Sequence, residues 1–259
     1  MLALILAATF ALPPQASDAV IGVAAVDLKT GKRISIRGDE RFPMGSVYKV
    51  PIALEVLRTQ QLDRVITIEP KDFSPGWSPL RDEAKGKPIV MTVEQLAEAM
   101  VKLSDNTACD ALLRIVTPQA VTKLMPDGIR VDRQEREMAA DLRKPGGRER
   151  YASDPRDTAT PDAMLGLFTS IAKDRPEKLM RWMTETTTGP KRIKAGLPKG
   201  TIVAHKTGTM PGTTNDVAII DGRYVIAIFT KASKMENEDV EPDIAAVTRA
   251  VHEELTRSR

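Results

Sequence analysis

The sequence predicts an α/β fold of the α+β kind: a mostly antiparallel sheet flanked by terminal helices, with an all-helical lobe inserted between its strands. Three observations predict it. Strand-like apolar runs gather at the two ends of the chain, helix-period patterns fill the middle, and neither terminal set of strands is large enough to stand alone. A chain of 259 residues, 42% of them hydrophobic, can bury the core that such a fold requires.

Residues 1–12 are almost purely apolar and lead into Pro13, Pro14, Gln15, Ala16 and Ser17, small and polar in the manner of a leader-cleavage site. The run is too short to span a membrane. No Lys or Arg precedes it, so a packed terminal helix is the alternative. The leader reading sets 1–17 apart as a signal peptide and makes the protein periplasmic or secreted, without a stable membrane anchor.

Alternating apolar residues over 20–27 and 33–37, joined by Lys29, Thr30, Gly31 and Lys32, form a β-hairpin. Apolar positions at three- and four-residue intervals predict helices over 47–60, 92–103, 107–116, 161–173 and 178–187. The stretch 139–155 has no pattern and carries Arg143, Lys144, Pro145, Gly146, Gly147, Arg148 and Arg150. A loop of that length is functional or mobile. Strands return over 201–209, 215–220 and 224–231, with a turn at Asp221-Gly222. The last helix, 243–256, aligns Ile244, Val247, Val251 and Leu255. The lobes are thus 18–42 with 189–259 (α/β) and 43–188 (helical).

Composition excludes several classes. A net charge of +3, from 38 basic and 35 acidic residues, and 4% aromatic content give no footprint for nucleic acid. Cys109 stands alone, and His205 and His252 have no metal-ligand spacing, so neither a disulfide nor a metal site is expected. No cofactor is expected, and the chain reads as a monomer.

Ser46 and Lys49 are a hydroxyl and an amine three residues apart, where one helix turn brings them together. A serine hydroxyl needs an adjacent base and donors for the oxyanion it creates. Lys49 serves as that base if burial and a second cation, for which Lys206 is a candidate, disfavour its charged form. Two further motifs follow: Ser104-Asp105-Asn106 and Lys206-Thr207-Gly208. Each alone is weak. Ser170 and Lys173 repeat the first spacing, Lys29-Thr30-Gly31 repeats the third, and Ser104 and Asp105 also suit a helix cap. The three together, in this order and with the last on a strand, are far more specific.

From about Gly22 to the C-terminal helix, the chain resembles the class A serine β-lactamases, whose motif set this is. Asp132 to Glu137 looks like the start of that family's omega loop, and Arg156 to Pro161 like its end. Thr213 to Asp216 and Trp77-Ser78-Pro79 also resemble family segments. The resemblance implies a β-lactamase/transpeptidase-like fold and a β-lactam substrate. It makes Ser46 the acylated nucleophile and Lys49 its base, with Ser104 as proton relay and Asn106 as substrate contact. Glu135 activates the deacylating water, and the amides of Ser46 and Thr209 form the oxyanion hole. Lys206, Thr207, Thr209 and Arg192 bind the substrate carboxylate, while Trp77 borders the site. Arg133 and Asp157 read either as an ion pair closing the loop neck or as unrelated surface charges, and Trp77 as either a rim or a core residue. Ala139 departs from the family, which carries Asn there. A penicillin-binding protein, a slow acyl-enzyme trap and a non-catalytic sensor domain are the competing readings.

Overall fold

The computed structural model describes residues 10–257, so the first nine residues of the leader expected at 1–17 lie outside it. The chain opens with the expected hairpin, β1 (Val20–Asp27) and β2 (Arg33–Ile36), followed by a short strand β3 (Phe42–Pro43). A 3-10 turn, Gly45–Tyr48, leads into α1 (Lys49–Thr59). Next come β4 (Val65–Ile68), α2 (Pro79–Ala84), β5 (Ile89–Thr92), α3 (Val93–Lys102), α4 (Asn106–Val116) and α5 (Pro118–Leu124). They are followed by α6 (Glu135–Arg143), α7 (Gly147–Tyr151), β6 (Thr158–Ala159), α8 (Pro161–Asp174) and α9 (Glu177–Thr184). The chain then returns to β7 (Val203–Met210), β8 (Thr213–Ile220), β9 (Tyr224–Lys231) and α10 (Asn237–Thr256).

The main sheet has the order β2-β1-β9-β8-β7, with every neighbouring pair antiparallel. Its two sequence-distant halves meet where β1 pairs β9, from Val20 opposite Lys231 to Asp27 opposite Tyr224. Successive side chains point to opposite faces. Ile21, Val23, Ala25, Ile226 and Ile228 face α10, where Ile244, Val247 and Val251 cover them. Ala24, Val217, Ile219, Val225 and Phe229 join the larger core, which includes Phe168 of α8 and the apolar faces of α1, α3 and α4. Covered on both faces, β8 and β9 carry long apolar runs, Val217 to Ile220 and Val225 to Phe229.

Local signals explain the helix starts. Thr92 and Gln95 form a reciprocal capping box on α3, with N–H···O distances of 3.2 and 2.9 Å. Thr160 caps α8 and Pro161 fills its first position. The short helices α2 and α5 carry too few turns to show periodicity, but Ser78-Pro79 and Thr117-Pro118 are cap-and-first-position pairs. The β4–β5 ribbon also lies outside the sequence reading, because its strands span four residues each and leave Val65 and Val90 exposed. Helix α10 starts six residues before the expected 243. Pro242 reads as a breaker, but burial of Val240 holds the helix through it.

The expected unpatterned stretch 139–155 is largely helical: α6 runs to Arg143, and α7 follows. These helices bury few apolar residues, Met138 and Tyr151 among them, so periodicity gives no sign of them. At the other end of the fold, Phe10 and Leu12 pack against the α10-side core. Ala16 and Ser17 donate their amides to the buried Asp243 carboxylate at 2.8 and 2.9 Å.

Asp27 closes the β1 turn, accepting from Lys29 N, Thr30 Oγ1 and the Arg223 guanidinium, all at 2.8–2.9 Å. The Arg223 side chain, ahead of these other donors, holds the Asp27 carboxyl well below the usual carboxylate range. Its stabilising contribution is therefore full at neutral pH and disappears as pH falls below the unfolded value near 3.9. Arg223→Ala is expected to move the acid-unfolding midpoint, followed by circular dichroism, to higher pH.

Candidate active site

Ser46 lies in the 3-10 turn, where residues i and i+3 align along the axis, so it falls on the same edge as Lys49. Gly45 before it has φ 50°, in the left-handed region that suits glycine. The bend sets the turn against β7: a Cβ on Gly45 would be 3.1 Å from Thr209 N, and one on Gly208 would be 2.2 Å from Met44 O and 3.2 Å from Ser46 N. The amides of Ser46 and Thr209 thus lie along one seam. Asn215 secures the turn from the sheet, donating to Pro43 O at 2.8 Å and Met44 O at 3.0 Å while accepting from Thr230 N.

Lys49 is fully buried at the start of α1. Its ammonium donates to Ser104 O and Asn106 Oδ1, both at 2.7 Å, and lies 3.0 Å from Glu135 Oε1. That last contact is an ion pair without hydrogen-bond geometry, and Glu135 Oε1 has no hydrogen-bond partner among the described residues. Ser46 and Lys49 form no direct hydrogen bond there either.

The second motif divides its labour. Asp105 is the cap, accepting from Ala108 N at 2.8 Å, and it also binds Ser78 Oγ and Leu80 N. Ser104 takes no part in capping: it has φ 59° and its Oγ accepts from Lys206 Nζ at 2.9 Å. Ser104 therefore touches both lysines, one through its carbonyl and one through its hydroxyl. Lys206 is fully buried on β7, and burial, then the Lys49 charge, push its ammonium well below the usual lysine value. Thr207 Oγ1 meets Thr188 Oγ1 at 2.6 Å.

Arg192 is buried beside β7. Its guanidinium contacts Gly208 O, Asn215 O, Thr209 Oγ1 at 2.7 Å and Glu241 Oε1 at 3.0 Å. It lines the cleft through a hydroxyl that it orients, with most of its donors already engaged. Trp77 is 63% exposed, anchored by Nε1 to Leu103 O at 2.8 Å, and is thus a rim residue.

Glu135 opens α6, and its amide donates to Asp110 Oδ1 at 2.7 Å. Asp110, buried on α4, also accepts from Ser74 Oγ, Arg136 N and Arg136 Nε. Burial pushes its carboxyl up, against the pull of these donors. Arg133 and Asp157 form the loop-neck ion pair at 2.6 Å, and Arg133 also binds Asp141 at 2.8 Å and Asp154 at 3.0 Å. Met44 N donates to Asp157 O, and β3 pairs β6, so the neck is fastened to the segment that delivers Ser46. Asp110 and Asn215 were assigned no role from sequence. The visible signal for Asp110 was one acidic residue inside the apolar run Ala108 to Leu113.

Ser46, Ser104, Asn106, Glu135, Thr207 and Thr209 open onto one cleft of about 1280 Å³. Cys109 and His205 lie outside it. Burial pushes the Cys109 thiol up, and His205 Nδ1 is bound to Asp216 at 2.9 Å. A serine in a helix-initiating turn, flanked by two buried lysines and a carboxylate on a separate loop, defines an acyl-transferring serine enzyme of the helical-lobe-and-sheet class.

The comparisons with known proteins narrow that class. The sequence model of the β-lactamase enzyme family matches residues 6–255. The chain is 34% identical to β-lactamase VEB-1 of Pseudomonas aeruginosa, over 90% of this chain and 86% of the relative. It is also 34% identical to the carbapenem-hydrolyzing β-lactamase KPC of Klebsiella oxytoca, over 97% and 89%. Among solved structures, a β-lactamase from Chitinophaga pinensis superposes with a TM-score of 0.81 at 30% identity, covering 92% of this chain and 94% of that one. An ancestral class A β-lactamase superposes at 0.79 and 36% identity, covering 92% and 95%. The chain belongs to the β-lactamase enzyme family, in its class A serine branch.

Removing the Arg133 guanidinium leaves the buried Asp157 carboxylate without its cation, a loss of about 3–5 kcal/mol for such pairs. Arg133→Ala is expected to lower Tm and to slow deacylation more than acylation, since the loop that carries Glu135 loosens. Calorimetry and stopped-flow kinetics check the two effects.

Proposed function

We propose that this chain hydrolyses β-lactams through a covalent acyl-Ser46 intermediate. One observation carries the reading: Lys49 Nζ sits between Ser104, Asn106 and Glu135, on the same edge of the turn as Ser46. A binding site alone has no use for a nucleophile with a lysine base and a carboxylate beside it.

In this reading Lys49, as the neutral amine, takes the Ser46 Oγ proton while that oxygen attacks the lactam carbonyl, and the amides of Ser46 and Thr209 hold the resulting oxyanion. The ring C–N bond breaks, and the nitrogen takes a proton through Ser104, which touches both lysines. Asn106 contacts the substrate amide and Trp77 borders its side chain. Lys206, Thr207 and Thr209, with Arg192 behind Thr209, receive the substrate carboxylate. Glu135, whose Oε1 is buried and lacks a hydrogen-bond partner among the described residues, draws a proton from the water that attacks the acyl carbon, and that proton returns to Ser46 Oγ as the ester C–O bond breaks. Ala139 supplies no polar group to that water. Export to the periplasm or medium and action as a monomer complete the reading. The apolar run at 1–12 supports export.

Ser46→Ala is expected to abolish turnover, and retained activity would overturn the mechanism. Glu135→Gln is expected to acylate while deacylation slows by roughly 10²–10⁴-fold. Intact-protein mass spectrometry after mixing with a penicillin then finds a persistent adduct in the variant and only a transient one in the parent. A persistent adduct in the parent instead identifies an acyl-enzyme trap or penicillin-binding protein.

A further inference from the structure

The segment between β9 and α10 forms part of the cleft wall: Ala232, Ser233, Lys234, Met235 and Glu236 all line it. Its first residue, Ala232, has φ 62°, a conformation that a residue with a Cβ adopts where neighbours impose it. The neighbours are identifiable. Ser233 N donates to Gly212 O, in the turn between β7 and β8, at 3.3 Å. From the opposite side comes Asp18, two residues before β1. Its carboxylate accepts from Ser233 Oγ at 2.6 Å and from Lys234 N at 3.1 Å, and Ser233 Oγ accepts in turn from Met235 N at 3.1 Å. The Ser233 hydroxyl, then the Lys234 amide, hold the Asp18 carboxyl below its usual value, so it is a full acceptor at neutral pH. The Lys234 side chain forms no ion pair among the described residues.

Asp18 lies just outside the leader expected at 1–17, so it stays with the chain when that leader is removed. Asp18 is exposed, so its contacts bear on the wall and contribute little to the core.

We propose that Asp18 is a positioning residue for the substrate cleft. By holding Ser233 and the Lys234 backbone, it sets where the Lys234 and Met235 side chains stand, and so which β-lactam substituents the cleft accepts. The proposal rests on the β-lactam hydrolase reading. A wall held in one conformation discriminates by size and shape; a released wall accommodates large substituents at the expense of small, well-fitted ones.

The test compares the purified parent with Asp18→Ala and Asp18→Asn. It measures kcat and KM on a small penicillin and on a cephalosporin with a large side chain, together with Tm. Asp18→Ala is expected to change the ratio of the two kcat/KM values by about fivefold or more, mainly through KM. Its Tm stays within about 2 °C of the parent, as for an exposed site. Asp18→Asn, which keeps one carbonyl acceptor, falls between parent and Ala. An unchanged ratio overturns the proposal. A uniform loss on both substrates with a lowered Tm also overturns it, since a purely structural contact behaves that way. A parent that hydrolyses neither compound overturns the hydrolase reading, and this proposal with it.

Discussion

The buried ammonium of Lys49 is the constraint around which the molecule is arranged. A cation removed from water is costly unless it is paired and hydrogen-bonded. Here there are three partners: Ser104 and Asn106 at the start of α4, and Glu135 at the start of α6. Each partner is in turn fixed. Asp105 caps α4 beside Ser104, Asp110 holds the Glu135 amide, and the Arg133–Asp157 pair closes the loop neck. The site is therefore a small polar network enclosed by an apolar core, and its geometry is set by what the ammonium needs.

The second lysine makes this network serve the chemistry that we propose. Lys206 meets the Ser104 hydroxyl from the sheet side while Lys49 holds the Ser104 carbonyl, so one residue joins two lysines, one on α1 and one on β7. Burial, then the Lys49 charge, push the Lys206 ammonium below its usual value. The strand that carries Lys206 also brings Gly208 against Met44 and Ser46, so the packing of the Ser46 turn on β7 also sets the site.

The loop from Glu135 to Pro161 shows how ion pairs can substitute for apolar burial. Arg133 binds three carboxylates, and Asp141 also meets Lys144 and Arg156. Periodicity reports apolar faces only, so α6 and α7 left no trace in the pattern although both are helical. The same limit hid α2, α5 and the β4–β5 ribbon, which are too short to repeat a period. In contrast, β8, β9 and α8 were legible because each buries long apolar faces, and the three site motifs were legible because their spacing is local.

The sequence by itself determined the spacing of Ser46 and Lys49, the strands at either end and the family, and it offered Ser104 and Asp105 as candidate caps. These follow from neighbours in the chain, where periodicity, caps and i to i+3 spacing operate. Only the tertiary structure decided that Ser104 joins two lysines, that Arg192 acts on the cleft through Thr209, that Trp77 stands on the rim, and that Asp110 and Asn215 hold the loop and the nucleophile turn. Those contacts link residues far apart in sequence, and which of many polar side chains meet is settled only when burial forces each to find a partner.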